Sequence, residues 1–164
     1  MQRIAFVIAF AVIGFVVGSV SPAAAQQSPL VGAWSFVSGG ANAADGSSVW
    51  GSNPKGLLIF TANGQYSSQI TRSDKPKFAA NSRIKGTPEE NRAAVHGFIG
   101  TFGTYSTDAA GKNFTVKFTG SSYANNEGAE QTRPFVIEGD ELRITNPSPT
   151  VGGPASQLLY RRIK

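Results

Sequence analysis

The side chains that could carry out catalysis are few in this sequence, and their spacing does not match a common catalytic site. His96 is the single histidine, and it is the one side chain that titrates near neutral pH without help from its surroundings. Its spacing from Glu89 and Arg92 predicts an exposed position on a helix. Cysteine is absent, which excludes a thiolate nucleophile, a disulfide framework and a cysteine-built metal site. Since one histidine cannot form a multi-histidine centre, we expect no metal and no cofactor.

Adjacent carboxylates occur twice, but each pair has a structural explanation. Glu89 and Glu90 follow a threonine and a proline, an order that is typical of a helix N-terminus with a capping box. Asp140 and Glu141 lie at an expected hairpin turn, where solvated carboxylates are common. The Gly-x-Ser-x-Gly motif of serine hydrolases does not occur in the sequence. We identify no catalytic residue, and the balance favours a protein that is not an enzyme.

The elements that must position these side chains are mainly strands joined by short turns. Eight strand-like runs are expected, at 30–37, 57–61, 65–70, 104–107, 114–119, 133–138, 141–145 and 157–163. The Asn63-Gly64 pair predicts a tight hairpin with positive φ at both central residues, and Gly139-Asp140 predicts a second hairpin. Closing such a sheet on itself removes its exposed edges. The predicted fold class is therefore mainly β, an antiparallel up-and-down barrel of about eight strands.

One helix is predicted, from residue 87 to about residue 102. Thr87 can cap it, Pro88 suits the first helical position, and Glu90 can complete a capping box. Four apolar residues at helical spacing would form its buried face: Val95, Phe98, Ile99 and Phe102. Three glycines at every third position would let this helix pack closely on the barrel: Gly97, Gly100 and Gly103.

The first 25 residues have the composition of a secretory signal peptide. Arg3 precedes an apolar run at 4–20, and Ala23 and Ala25 place small side chains at the two sites that signal peptidase reads. We expect cleavage after Ala25, a barrel domain over 26–164, and a periplasmic or secreted protein without stable membrane insertion. The alternative is an uncleaved anchor, because the apolar run approaches the length that spans a membrane.

The positive charge of the chain does not indicate nucleic-acid binding. The formal net charge is +5, but the basic residues are dispersed. The one dense cluster, Arg161-Arg162 with Lys164, is typical of a solvated C-terminal tail. No stretch alternates basic residues with aromatic ones as single-strand binders do. We therefore expect no nucleic-acid partner.

Several blocks of the sequence are similar to one known family. Leu30-Val31-Gly32-Ala33-Trp34 matches a Leu-x-Gly-x-Trp start, and the run 45–70 contains the specific block Pro54-Lys55-Gly56-Leu57-Leu58. The run 86–90, the pair Phe98-Ile99 and the run 102–105 fit the same pattern. Together these blocks resemble the bacterial and fungal lipocalin-like domain family. The resemblance implies a barrel of about eight strands with an internal cavity, and it implies a fold more firmly than a function.

One block of the sequence departs from the family pattern. The family has Gly-Ser-x-x-Pro-Asn-Trp-x-Gly-x-x-Gln-x-Arg after its long strand, and six residues keep that spacing here: Gly120, Ser121, Asn125, Gly128, Gln131 and Arg133. Ala124 replaces the proline and Asn126 replaces the tryptophan. If this block lines the family's pocket, the departure implies a more polar mouth.

Ten residues are candidates for a ligand site because they are expected inside the barrel. They are the aromatic residues Trp34, Phe36, Tyr66, Tyr105, Phe114 and Phe118, and the polar residues Gln69, Asn125, Gln131 and Arg133. A buried arginine is costly unless it is paired, so Arg133 either binds an internal carboxylate or receives an anionic ligand. The alternative is that the aromatic residues simply fill the barrel.

These observations predict an exported lipocalin-like protein that binds a small hydrophobic or amphipathic, mostly apolar molecule in the barrel cavity. One alternative is an enzyme of the cyclase or isomerase type, which would gain support if Arg133 and a tyrosine converged inside the cavity. The other alternative is a packed barrel that serves a structural or interaction role without a ligand.

Overall fold

The computed structural model describes residues 27–42 and 48–164 of the chain. Eight antiparallel strands follow one another in chain order around a closed barrel, and the last strand pairs with the first. The strands are β1 (Gly32–Gly39), β2 (Lys55–Phe60), β3 (Gln65–Thr71), β4 (Phe98–Thr107), β5 (Asn113–Ser121), β6 (Glu130–Glu138), β7 (Glu141–Asn146) and β8 (Ser156–Arg162). This architecture confirms the predicted fold class. The expected signal peptide at 1–25 lies outside the described residues.

The two ends of the barrel differ in the length of their connections. The β2–β3, β4–β5 and β6–β7 connections are tight turns, and all three lie at the same end, which we call the floor. The β1–β2, β3–β4, β5–β6 and β7–β8 connections are longer and lie at the opposite end, which we call the mouth. Because long connections can enclose space that tight turns cannot, the mouth is where a site can form.

The two predicted hairpins form, with turn types set by single glycines. Gly64 has φ +80° and its N–H bonds the Thr61 carbonyl at 3.1 Å. Asn63 does not share the positive φ that we predicted for it. The loop is instead a four-residue turn that ends in a left-handed glycine. At the β6–β7 turn, Gly139 has φ +60° while Asp140 has a negative φ, which is the pattern of a type II′ turn.

The single α-helix within the described residues, α1, spans Pro88–His96 and begins as predicted. The Thr87 side chain accepts the Glu90 N–H at 3.2 Å, and the Glu90 carboxylate accepts the Thr87 N–H at 2.9 Å. Glu90 also accepts the N–H of Ala79 at 2.8 Å. The N–H groups of Ala79 and Thr87 hold the pKa of the Glu90 carboxyl below its ordinary value.

The predicted extension of the helix to residue 102 is wrong, because β4 begins at Phe98. Ile99 pairs with Ile70 and Thr101 pairs with Ser68 across the β3–β4 ladder. Aromatic and β-branched residues between glycines favour a strand over a helix. The ladder with β5 continues on the other side, so β4 completes the barrel and leaves no unpaired edge.

Gly103 of β4 allows close contact between two strands rather than between a helix and the sheet. A Cβ atom on Gly103 would lie 2.0 Å from the Lys117 carbonyl oxygen of β5. The β4–β5 register also shifts between Phe102 and Gly103. Only glycine permits this approach, which turns the strand sharply at the bulge.

The floor is closed by a cluster that we call the floor clamp, formed by Trp34, Arg162 and the backbone at 29–31. Trp34 is fully buried, and its Nε1–H donates to the Leu30 carbonyl at 2.8 Å. The Arg162 guanidinium carbon lies 3.9 Å from the centre of the Trp34 ring. Its Nη atoms donate to the carbonyls of Val31 at 3.1 Å and Pro29 at 3.0 Å. The clamp fastens the start of the first strand to the end of the last one.

Candidate functional site

The inward faces of the strands change from apolar near the floor to polar in the middle of the barrel. Because strand side chains alternate between the two faces, every second residue points inward. Along β6 the inward residues from mouth to floor are Gln131, Arg133, Phe135 and Ile137. The sequence of β6 thus places its inward polar groups on the mouth side of its inward apolar groups.

Aromatic rings fill the lower half of the barrel. The ring centre of Phe60 lies 4.7 Å from Tyr105, 5.3 Å from Phe114 and 5.6 Å from Tyr66. Offset and edge-on contacts at these distances are the favourable geometries for aromatic pairs. This half of the interior is packed core, as the filled-barrel alternative predicted.

A small polar cavity, which we call the chamber, lies above these rings and has a volume of about 70 Å³. Its deep polar lining consists of Tyr66, Ser68, Thr101, Gln131, Arg133, Ser156 and Tyr160. The hydroxyls of Tyr66 and Thr101 are hydrogen-bonded at 3.1 Å. Arg133 Nε donates to the Gln131 side-chain oxygen at 2.6 Å. The Ser156 hydroxyl is buried and bonds no other group within the part of the chain that the structure describes.

The phenol of Tyr160 stays protonated in this environment. Burial raises its pKa, and the neighbouring Tyr66 raises it further. A hydrogen bond with Ser68 and the positive charge of Arg133 lower it only in part. The chamber therefore presents a neutral O–H group beside a guanidinium cation.

A larger cavity, which we call the mouth pocket, lies between the connections at the open end and has a volume of about 590 Å³. Its wall combines apolar and aromatic side chains with a few polar ones: Val49, Trp50, Arg72, Val95, His96, Phe98, Ile99, Ser122, Tyr123, Thr150 and Val151. Five residues line the mouth pocket and the chamber together: Val49, Trp50, Ile99, Thr150 and Val151. The two cavities are thus adjacent, and the smaller one lies deeper in the barrel.

The charges around these cavities are basic. Arg72 lies at the mouth in an ion pair with Asp74, with an N–O distance of 2.7 Å, and also donates to the Val49 carbonyl at 3.4 Å. Arg133 is the one charged side chain that lines the chamber among the described residues. No aspartate or glutamate from those residues lines either cavity. The potential in the cavities therefore favours an anion over a cation.

The family model for a lipocalin-like domain matches residues 31–160, from the start of β1 into β8. The chain belongs to the lipocalin-like domain family. This confirms the resemblance that the sequence blocks showed. No curated protein matches this chain.

The lipocalin-like barrel divides the ten predicted ligand residues among several places. Tyr66, Gln131 and Arg133 meet in the chamber. The ring of Phe118 lies 5.9 Å from the Arg133 guanidinium. The other aromatic candidates belong to the packed interior or lie at its edge: Trp34, Phe36, Phe114 and Tyr105.

Gln69 and Asn125 are two expected ligand residues that the structure places outside both cavities. Gln69 is exposed on the outer face of β3, because Tyr66, Ser68 and Ile70 take the inward positions of that strand. Asn125 is exposed in the β5–β6 connection, where its neighbour Asn126 lines the chamber instead. Neither Gln69 nor Asn125 can anchor a molecule in the lipocalin-like interior.

The residues of the mouth pocket were not predicted as ligand contacts. His96 was expected to be exposed, and it is exposed, but it also lines the pocket. Val151 was available as a signal, because no other residue of the β7–β8 connection has a large aliphatic or aromatic side chain. Val95 was instead predicted to be buried on a helix face, and it is exposed. Large exposed apolar side chains that lie close together mark binding surfaces more often than chance.

The described residues show neither a metal site nor a membrane-crossing helix. No three histidine, aspartate or glutamate side chains of residues 27–42 and 48–164 are close enough to hold a metal ion. In the same ranges, no helix has the length and apolar character to cross a bilayer.

Proposed function

We propose that this lipocalin-like protein binds a small, mostly apolar molecule at the mouth of its barrel. The observation that supports this most directly is the mouth pocket, whose volume of about 590 Å³ falls within the roughly 300–1,000 Å³ of typical ligand sites. The apolar body of the molecule would contact Trp50, Phe98 and Val151. Its polar end would enter the chamber, where hydroxyl and guanidinium groups can pair with it.

The proposed position of the molecule is nearer the mouth than the position inside the barrel that the sequence predicted. The chamber, at about 70 Å³, is below the volume of roughly 300 Å³ at which ligand sites begin. Among the described residues, aromatic rings pack the lower half of the interior, so the proposal does not place the body of a ligand there. The four long connections enclose the larger volume instead, which favours a binding protein over a barrel packed throughout.

A fluorescence titration with the neutral dye 1-aminoanthracene tests this proposal. The double substitution Val95→Arg and Val151→Arg puts two large charged side chains into the mouth pocket. Val136→Arg is the matched control, because Val136 is 54% exposed on the outer face of β6, while Val151 is 56% exposed. We expect the dye to bind the unmodified protein and the control equally, and the double variant at least tenfold more weakly.

Two results of this titration would contradict the proposal. One is the absence of saturable dye binding to the unmodified protein. The other is equal affinity in the double variant and in the unmodified protein, since the dye would then bind elsewhere. Circular dichroism of each variant verifies that the barrel is intact before the titration.

A second candidate function is a cyclase or isomerase type of activity in the same cavity. One observation favours it, namely that Arg133 and the hydroxyls of Tyr66 and Tyr160 line the same chamber. A guanidinium and a neutral phenol could polarise a carbonyl group of a bound substrate. Mass spectrometry and chromatography of a ligand recovered after incubation test this candidate. An isomer absent from the control without protein supports it, and recovery of the unchanged ligand contradicts it.

We further propose that the barrel is exported and that its leader is removed after Ala25. The apolar run at 4–20 and the small residues at Ala23 and Ala25 support this. The intact mass of the protein recovered outside the cytoplasm is the test. A chain that begins at Gln26 is expected, and a chain that begins at Met1 would contradict cleavage.

A further inference from the structure

Arg133 is a charged side chain whose donors are mostly unused within the barrel. A guanidinium has five N–H donors, and one of them, on Nε, bonds the Gln131 side chain. The Nη groups of Arg133 have no protein acceptor among the described residues, and none of the ion pairs in those residues includes Arg133. The Phe118 ring lies against the guanidinium, with 5.9 Å between the guanidinium carbon and the ring centre.

The surroundings of Arg133 contain hydroxyl groups suited to the same partner. The Ser156 hydroxyl is buried without a hydrogen bond in the described part of the chain. The Tyr160 hydroxyl belongs to a fully buried side chain that lines the same chamber. A buried hydroxyl without a partner costs free energy, and a half-buried cation without a counter-ion also loses part of its solvation. One ligand group that accepts several hydrogen bonds and carries a negative charge would offset both costs.

The volume of the chamber limits what this group can be. A cavity of roughly 10–15 Å³ holds one water molecule, so a cavity of about 70 Å³ has room for a group of a few heavy atoms. A carboxylate has three heavy atoms, and its two oxygens match the paired N–H groups of a guanidinium. No aspartate or glutamate lines the chamber among the described residues. The negative charge that pairs with Arg133 therefore has to come from the ligand.

We propose that the ligand is an apolar molecule that carries a carboxylate, and that Arg133 binds this head group in the chamber. This inference rests on the proposed binding function, and it adds the chemical class of the ligand and the residue that selects it. The apolar body extends from the chamber into the mouth pocket, past Trp50 and Ile99. The hydroxyls of Ser156 and Tyr160 donate to the second oxygen of the carboxylate.

The test compares decanoate with decan-1-ol, which have chains of equal length and differ in the head group. Each is titrated against the unmodified full-length protein that has been loaded with 1-aminoanthracene, and displacement of the dye is measured. We expect decanoate to displace the dye with at least tenfold higher affinity than decan-1-ol. This comparison needs no variant, so it remains decisive even if a substitution in the chamber prevents folding.

Substitution of Arg133 then assigns the preference to one side chain. Arg133→Met keeps an apolar stem of similar length and removes the charge. It should weaken the binding of decanoate at least tenfold and leave the binding of decan-1-ol unchanged. Arg143→Met is the control, because Arg143 is exposed on the outer face of β7 and pairs with Glu141. It should keep the preference for decanoate.

The outcomes separate the head-group site from the proposed function. Equal displacement by decanoate and decan-1-ol, or failure of decanoate to displace the dye, overturns the head-group site and leaves binding at the mouth in place. A preference for decanoate that persists in Arg133→Met also overturns it. If the dye itself does not bind the unmodified protein, the proposed function fails as well.

Discussion

Loss of the Arg162 guanidinium should destabilise the barrel through its floor while leaving the mouth intact. Arg162→Ala removes two charge-assisted hydrogen bonds, at 3.1 Å and 3.0 Å, and the contact with the Trp34 ring at 3.9 Å. Arg162 is half-buried, so each hydrogen bond is worth about 1 kcal/mol, below the 1.5–3 kcal/mol of buried bonds to charged groups. The cation–π contact adds about 1 kcal/mol.

The expected loss in the free energy of unfolding is therefore about 3 kcal/mol for Arg162→Ala, a large share of the roughly 5–15 kcal/mol that holds a typical domain folded. Urea unfolding followed by circular dichroism measures it. Arg162→Lys keeps the charge but loses the planar fork, and it should recover less than half of the loss. Arg161→Ala is the matched control, because Arg161 is 62% exposed on the same strand and makes only a 3.6 Å ion pair with Glu141.

Two outcomes would refute this reasoning about the floor clamp. One is a loss below about 0.5 kcal/mol for Arg162→Ala, the size of an ordinary surface substitution. The other is an equal loss for Arg161→Ala, since the effect would then come from net charge rather than from the contacts of Arg162.

Three further predictions concern the sheet, the chamber and the helix. Gly103→Ala should cost about 1–3 kcal/mol in urea unfolding, because the new Cβ atom would lie 2.0 Å from the Lys117 carbonyl oxygen. Tyr66→Phe should cost about 1–2 kcal/mol in thermal unfolding, because the buried Thr101 hydroxyl loses its partner. The pKa of Glu90 in the folded protein lies below the ordinary value of 4.5. The ionised carboxylate therefore stabilises α1 fully above pH 4.5, and this stabilisation is lost as the pH falls through the folded-state pKa. The protection factors of the α1 amides, which correct the exchange rates for their intrinsic pH dependence, should therefore fall below pH 4.5 in the unmodified protein and change much less in Glu90→Gln.

Substitutions of exposed side chains provide the controls for these three predictions. Thr104→Ala and Tyr123→Phe change exposed side chains, and each should stay within about 0.5 kcal/mol of the unmodified protein. Glu89→Gln should keep the response of α1 to acid. Equal effects of a control and its test variant would show that the named contact is not the cause.

The sequence was sufficient to predict the barrel because the residues of its strands alternate between the inner and the outer face. In β5 the residues alternate between buried and exposed from Phe114 to Gly120, so one face is apolar along its length. The glycines of the tight turns likewise fix where strands end. Strand number and order follow from such local patterns, and closure follows from the need to pair every edge.

The sequence was not sufficient to predict where α1 ends or where the site lies. The spacing of Phe98, Ile99 and Phe102 fits a helical face, but pairing with β3 and β5 outweighs this local preference. The volume of the mouth pocket depends on how four separate connections fold over one another, and no local pattern contains that information. The convergence of Arg133 with Tyr160 similarly depends on register across the whole barrel.

The pairing of β1 with β8 has a consequence for how the chain reaches its native state. The pair Ser35 and Arg161 joins positions at nearly opposite ends of the described chain. A growing polypeptide that still lacks β8 holds a curved sheet with two bare edges, and bare edges recruit other chains. Contacts so distant along the chain also form slowly, because a long loop must close first. The synthesis of β8 thus decides when the barrel stops being vulnerable to aggregation.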